Sequence, residues 1–283
     1  MVGIIASEDS RRVTIFGHGV TVSERFEIDS GIWIEAASPQ LDLDTTVKGC
    51  PTFSDYAAVI HGAEIASFAI QVETHEGGKA LAAKAWNALW LFHLIGIACH
   101  SPCNMLYSMS DGAETKYSAT GRNPFLRPVG NVHTAATDEL LWVRQHLGSF
   151  DGLISVPEFN SAVRCLGNVA YLHDADVKIM LLWAGIEGLL NVEAELSRRL
   201  ALYAALMKEG TPAEKGEYFK MVKDAYSIRS RAVHGGNAKP DRIELGLRMA
   251  TEILTDPLKS CIKIGRVPKP TELDLQAVGA NVR

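Results

Sequence analysis

The 283-residue chain lacks the glycine-rich phosphate loop of nucleotide hydrolases, the glycine fingerprint of a dinucleotide-binding unit and the serine elbow of the α/β-hydrolases. The chemistries that depend on those signatures are therefore not expected. Cysteine is sparse: Cys50, Cys99, Cys103, Cys165 and Cys261 form an odd, scattered set that makes no disulfide framework. No cationic leader followed by an apolar segment stands at the start, so a reduced, cytoplasmic protein is expected. The longest apolar run, residues 85–99, is interrupted by Asn87 and His93. It falls short of the roughly 20 residues that cross a bilayer, so it reads as core, and no membrane partner is expected. Internal repeats and low-complexity tracts are absent.

What is present suffices for a real core. Hydrophobic residues make up 47% of the chain, and its length suits two ordinary domains. Residues 12–20, 22–28 and 32–36 carry β-branched and aromatic residues near period two, punctuated by Gly17, Gly19 and Ser30-Gly31, which predicts an antiparallel meander. Residues 38–51 are polar and bounded by prolines, which predicts a loop; residues 65–74 again favour a strand. From Gly78 the period changes to that of a helix of about twenty residues ending near residues 99–102. Residues 104–109 and 115–119 read as a hairpin, and 121–130, with Pro124 and Pro128, as a linker. Beyond it, residues 138–147, 157–172, 175–190, 193–208, 213–233 and 241–264 show apolar stripes at helical spacing. Asp174 is placed to cap one helix, and Thr211-Pro212 to start another.

The expected fold class is therefore α+β: an N-terminal mixed unit with antiparallel strands over residues 1–130, an all-α bundle over 131–266 and a loosely held tail over 267–283.

Charge is unevenly spread along this plan. The chain carries a net −5, yet residues 197–266 hold 14 Lys and Arg against 8 Asp and Glu. A basic segment inside an acidic protein suits a phosphate-bearing ligand, although a solvated helical face paired with acidic groups elsewhere has the same composition. Within that segment, residues 226–236 read Tyr-Ser-Ile-Arg-Ser-Arg-Ala-Val-His-Gly-Gly. Arg229 and His234 fall on the last turns of a predicted helix that the glycine pair would stop. Five residues of helix place them roughly 140° and about 7.5 Å apart, so they converge only if the helix unwinds at the glycines. A guanidinium and an imidazole aimed at one phosphodiester are chemically apt, since the first holds two phosphate oxygens and the second exchanges a proton near neutral pH. Basic residues at a helix C-terminus also complement its dipole and need no ligand.

The longer context is Trp183-Ala-Gly-Ile-Glu187-Gly-Leu-Leu190, then Leu196-Ser-Arg-Arg199, then Tyr226-x-x-Arg229-Ser230-x-x-Val233-His234-Gly235. Over residues 173–262 it resembles the HEPN domain, most closely its Apea-like branch. The resemblance implies a helical bundle with metal-independent ribonuclease activity, marked by an Arg, four to six residues, then a His. Arg229 and His234 have that spacing; the residue after the Arg is often Asn, Asp or His in the family and here is Ser230. The resemblance also implies a homodimer whose two Arg/His pairs line one groove, and work in toxin or antiphage-defence settings.

On that reading the substrate is RNA, most readily single-stranded, and no metal or other cofactor is needed. His234 deprotonates the ribose 2′-hydroxyl or protonates the leaving 5′-oxygen, and Arg229 stabilises charge on the phosphate oxygens. The negative end of the helix favours the protonated imidazole, and so an acid or phosphate-binding role over a base; the sequence leaves the choice open. Tyr226 and Ser230 are candidates for polar contacts near the phosphate. Glu187 lies among Trp183, Ile186, Leu189 and Leu190, where an unpaired carboxylate is costly, so Arg229 or Arg231 is its expected partner. That pair would orient the arginine or simply hold two helices together. A HEPN-like scaffold without nuclease activity, binding RNA, a nucleotide or a protein, is the alternative function.

The run Cys99-His100-Ser101-Pro102-Cys103 supplies half of a zinc site, but the sequence offers no second Cys/His pair at finger-like spacing, so no metal is expected. His61, His75, His93, His133, His146 and His173 have no partner in sequence and read as hydrogen-bonded structural residues.

Overall fold

The computed structural model describes residues 4–119, 132–233 and 239–279. The chain divides into two compact units, the described residues up to Gln145 forming the first and those from His146 onward the second. The layout is α+β, with an antiparallel sheet in the first unit and helices alone in the second.

The first unit is built on β1 (Arg12–His18), β2 (Val20–Thr21), β3 (Phe26–Asp29), β4 (Ile32–Ala36), β5 (Phe68–Glu73), β6 (Asn104–Ser110), β7 (Lys116–Ala119) and β8 (His133–Thr134). Six of them form one sheet in the order β3-β4-β5-β1-β6-β7, every pairing antiparallel. Val13 to Gly17 are buried without alternation, as in a central strand covered on both faces. Gly17 is required here: a Cβ would lie 2.3 Å from Phe92 and 2.8 Å from Phe68, whose rings pack together at 5.2 Å. The two remaining strands form a separate parallel pair, with Val20 opposite His133 and Thr21 opposite Thr134. The linker predicted at 121–130 lies outside the described residues.

The helices of this unit differ in part from expectation. Residues 38–51 are not all loop, because α1 (Leu43–Gly49) starts inside them, and α2 (Phe53–Ile65) follows. The physical reason is capping: Asp42 accepts from the Thr45 N–H at 2.9 Å, and Thr52 from the Asp55 N–H at 3.1 Å. The single helix expected from Gly78 is two, α3 (Gly78–Ala88) and α4 (Trp90–Ala98), which meet at Leu89. Residues Gly78–Ala98 are long and apolar enough to cross a membrane by composition alone; half of the most apolar window is buried in the fold, including Leu94, Ile95, Ile97 and Ala98.

Helix α5 (Thr137–Leu153) carries the chain into the second unit. There α6 (Pro157–Asn168), a 3-10 turn at Val169–Tyr171, α7 (Ala175–Leu190), α8 (Leu196–Met207), α9 (Pro212–Val233) and α10 (Pro240–Ile264) follow the predicted stripes closely. Residues 270–277 were expected only as part of a loose tail and form α11 (Pro270–Ala277). It is held by buried Leu273 and by Asp274, which accepts from Tyr203 at 2.7 Å and Arg199 at 2.9 Å.

Candidate functional site

Helix α9 positions most of the predicted site. Thr211 and Glu214 form a reciprocal cap at its start, Glu214 accepting from the Thr211 N–H at 2.6 Å and Thr211 from the Glu214 N–H at 3.3 Å. Pro212 supplies a preset first turn. Tyr218, Val222, Ala225 and Ile228 are the buried residues of α9, and their spacing of three and four defines the face it turns to α7, α8 and α10. Close approach of α10 depends on Gly246, where a Cβ would stand 2.6 Å from Cγ2 of Ile228.

Arg229 and Tyr226 sit beside that buried face. Across from them on α7, Trp183 and Glu187 are four residues apart and therefore share a stripe. Trp183, fully buried, meets the Tyr226 ring edge to face at 5.3 Å, and the Arg229 guanidinium lies 5.5 Å from the centre of the same ring. Of the two arginines expected as partners for Glu187, Arg229 makes the contact, Nη2 standing 3.2 Å from Oε1. Both side chains are about a quarter exposed, so the carboxylate is less deeply placed than its apolar neighbours suggest.

The contact is an ion pair without hydrogen-bond alignment. Nε of Arg229, Oε1 of Glu187 and Nε1 of Trp183 are shielded from solvent with no aligned partner among the described residues. The guanidinium is thus located by charge and by the Tyr226 ring.

The other predicted residues fall as follows. Arg231 is exposed and turns back on its own helix, donating from Nη2 to Ser227 Oγ at 3.2 Å. Two residues rotate it by about 200° from Arg229, which takes it away from Glu187. Ser230 is half-buried on the turn that carries Arg229. His234 follows Val233, the last residue of α9, and lies outside the described residues, as do the two glycines. Sequence reasoning did not single out Trp183 as part of this cluster; the signal was its spacing of four from Glu187, matched by the spacing of three between Tyr226 and Arg229.

The basic segment is internally compensated in part. Lys208 contacts Asp256 at 2.6 Å and lies 4.4 Å from the centre of the Tyr218 ring, and Lys220 pairs with Glu217 at 2.8 Å. Among the described residues, one group of mixed ligand types is close enough to hold a metal, and it lies in the first unit: Cys99, His133 and Glu139. Comparison with known proteins returns no match: no family model fits the chain, and no curated protein or solved structure is significantly similar to it, so the HEPN resemblance rests on the motif residues themselves.

Proposed function

We propose that the protein is a HEPN-type, metal-independent endoribonuclease of a toxin or antiphage-defence kind. It acts in the cytoplasm as a homodimer and cleaves single-stranded RNA through Arg229 and His234. The single observation that carries this reading is the Arg229–Glu187 pair at 3.2 Å, on an arginine five residues before His234 in sequence. An arginine already restrained by a carboxylate and a ring loses little freedom when it takes a phosphate oxygen, which is how positioned charge stabilises a transition state. Arg229 holds the non-bridging oxygens as negative charge grows on them. His234, which follows the last residue of α9 in sequence, where a helix end favours the imidazolium, gives its proton to the departing 5′-oxygen while the ribose 2′-hydroxyl, passing its proton to solvent, attacks phosphorus and leaves a 2′,3′-cyclic phosphate.

The same carboxylate favours a second reading. Glu187 offsets the charge of Arg229, and a phosphate must compete with it, which suits a HEPN-like scaffold that binds RNA, a nucleotide or a protein without cleaving.

Purified protein incubated with end-labelled single-stranded RNA in excess chelator tests both. Cleavage to a cyclic phosphate, lost in Arg229→Ala and His234→Ala variants of confirmed fold, is the expected result. RNA binding without cleavage, unchanged in both variants, assigns the scaffold instead.

A further inference from the structure

Cys99, His133 and Glu139 come from three separate elements of the first unit, yet one ligand atom from each lies within 4.8 Å of the other two. Cys99 is the C-cap of α4, 3% exposed, its N–H bonded to the Ile95 carbonyl at 2.9 Å. His133 is fixed by β8, which pairs with β2 at Val20 and is continued by the Ala135 N–H bonded to Thr21 O at 2.9 Å. Glu139 stands in the first turn of α5, where Oε2 accepts both the Ala136 N–H and His133 Nε2 at 2.8 Å. The carboxylate is therefore oriented by a backbone donor, the kind of support that ligating carboxylates receive.

A tetrahedral zinc ion with bonds of about 2.0–2.3 Å sets its ligand atoms roughly 3.5 Å apart. His133 Nε2 and Glu139 Oε2, 2.8 Å apart, separate slightly to reach that geometry, and the three ligand atoms already lie within 4.8 Å of one another, so movements of about an ångström suffice. A thiolate, an imidazole and a carboxylate together select a borderline transition metal over calcium or magnesium. His133 is 42% exposed, which leaves a solvent side for a fourth ligand.

The same three residue types also form nucleophilic triads, but the surroundings of Cys99 oppose that role. Reactive cysteines sit at helix N-termini or beside cations, whereas Cys99 is buried at a helix C-terminus with the buried thiol of Cys103 as a neighbour.

We infer that Cys99, His133 and Glu139 bind one divalent transition metal of the zinc class, with water in the fourth position. On binding, the Cys99 thiol releases its proton to solvent and the sulfur joins the metal as thiolate. The ion then clamps β8 and the start of α5 to the turn between α4 and β6. This site is independent of the nuclease reading and of its chelator-resistant chemistry.

The test uses the full chain, stripped with chelator and titrated with cobalt(II) and then zinc(II). Expected are one cobalt per chain, a thiolate-to-cobalt charge-transfer absorption displaced by zinc, and a higher melting temperature with zinc. Cys99→Ser abolishes the absorption, His133→Asn, at an exposed position, weakens zinc binding at least about tenfold, and Cys50→Ser changes neither. If Cys99→Ser fails to fold, the His133→Asn titration decides alone. Absence of stoichiometric metal, or zinc affinity unchanged in His133→Asn, overturns the inference. Rapid alkylation of Cys99 that depends on His133, in protein that binds no metal, also overturns it and assigns a thiol nucleophile.

Discussion

Glu187 on α7 and Arg229 on α9 face each other at 3.2 Å, each about a quarter exposed, with the Tyr226 ring 5.5 Å from the guanidinium. The pair joins partly exposed side chains without aligned hydrogen bonds, so its contribution to stability is small, about 1 kcal/mol or less. It does restrict where the guanidinium can be.

Glu187→Gln preserves shape and removes the charge that locates Arg229. On the nuclease reading, cleavage of single-stranded RNA falls roughly 10- to 100-fold, the scale of a misplaced catalytic group, while the melting temperature stays nearly constant. Tighter RNA binding with no cleavage in either protein would instead mark Glu187 as a competitor for phosphate on a scaffold.

Arg229→Lys keeps the positive charge but replaces a planar fork with a point charge. Cleavage in chelator is expected to drop nearly as far as in Arg229→Ala. Full activity with lysine would show that charge alone suffices and that the Tyr226 contact is incidental.

Stability is expected to fall in alkaline solution. Burial pushes the Cys50 thiol up to about 11 and the Cys261 thiol up to about 12, from an ordinary value of 9.0. Between those values the unfolded chain has lost protons that the folded chain retains, so the contribution is full below pH 9 and is lost as pH rises through the folded values. Urea midpoints should decline from pH 9 upward, and Cys261→Val should flatten the decline. Cys50 in the native protein should alkylate about 100-fold more slowly at pH 8 than in the unfolded chain, on thiolate fraction alone.

Gly246→Ala places a methyl 2.6 Å from Cγ2 of Ile228, the neighbour of Arg229. Overpacking costs about 1–3 kcal/mol against a helix-propensity gain of about 1 kcal/mol. A net loss of up to about 2 kcal/mol is expected by denaturant titration, largely recovered when Ile228→Leu removes the clashing branch.

The legibility of this chain follows from how far each signal reaches. Helix α9 was readable because Thr211-Pro212 marks its start and Tyr218, Val222, Ala225 and Ile228 recur at helical spacing. The Glu187–Arg229 contact was readable because an isolated carboxylate among apolar residues needs a cation. Helices α1 and α2 were obscured by polar composition, although Asp42 and Thr52 were available as capping signals. The break at Leu89 has no proline or glycine beside it and leaves no local mark. The meeting of Cys99 with His133 and Glu139 depends on β2 and β8, a pair of two-residue strands too short to show a period. That is why the sequence around Cys99 gave no sign of His133 and Glu139 as its neighbours.

The pairing of Val20 with His133 bears on how the molecule can be taken apart. A fragment ending at residue 130 would leave β2 without its neighbour and would forfeit His133 and Glu139, the two groups beside Cys99, so it should express poorly and expose apolar surface. A fragment running to Gln145 keeps both and is the better piece to isolate for crystallisation or for metal titration.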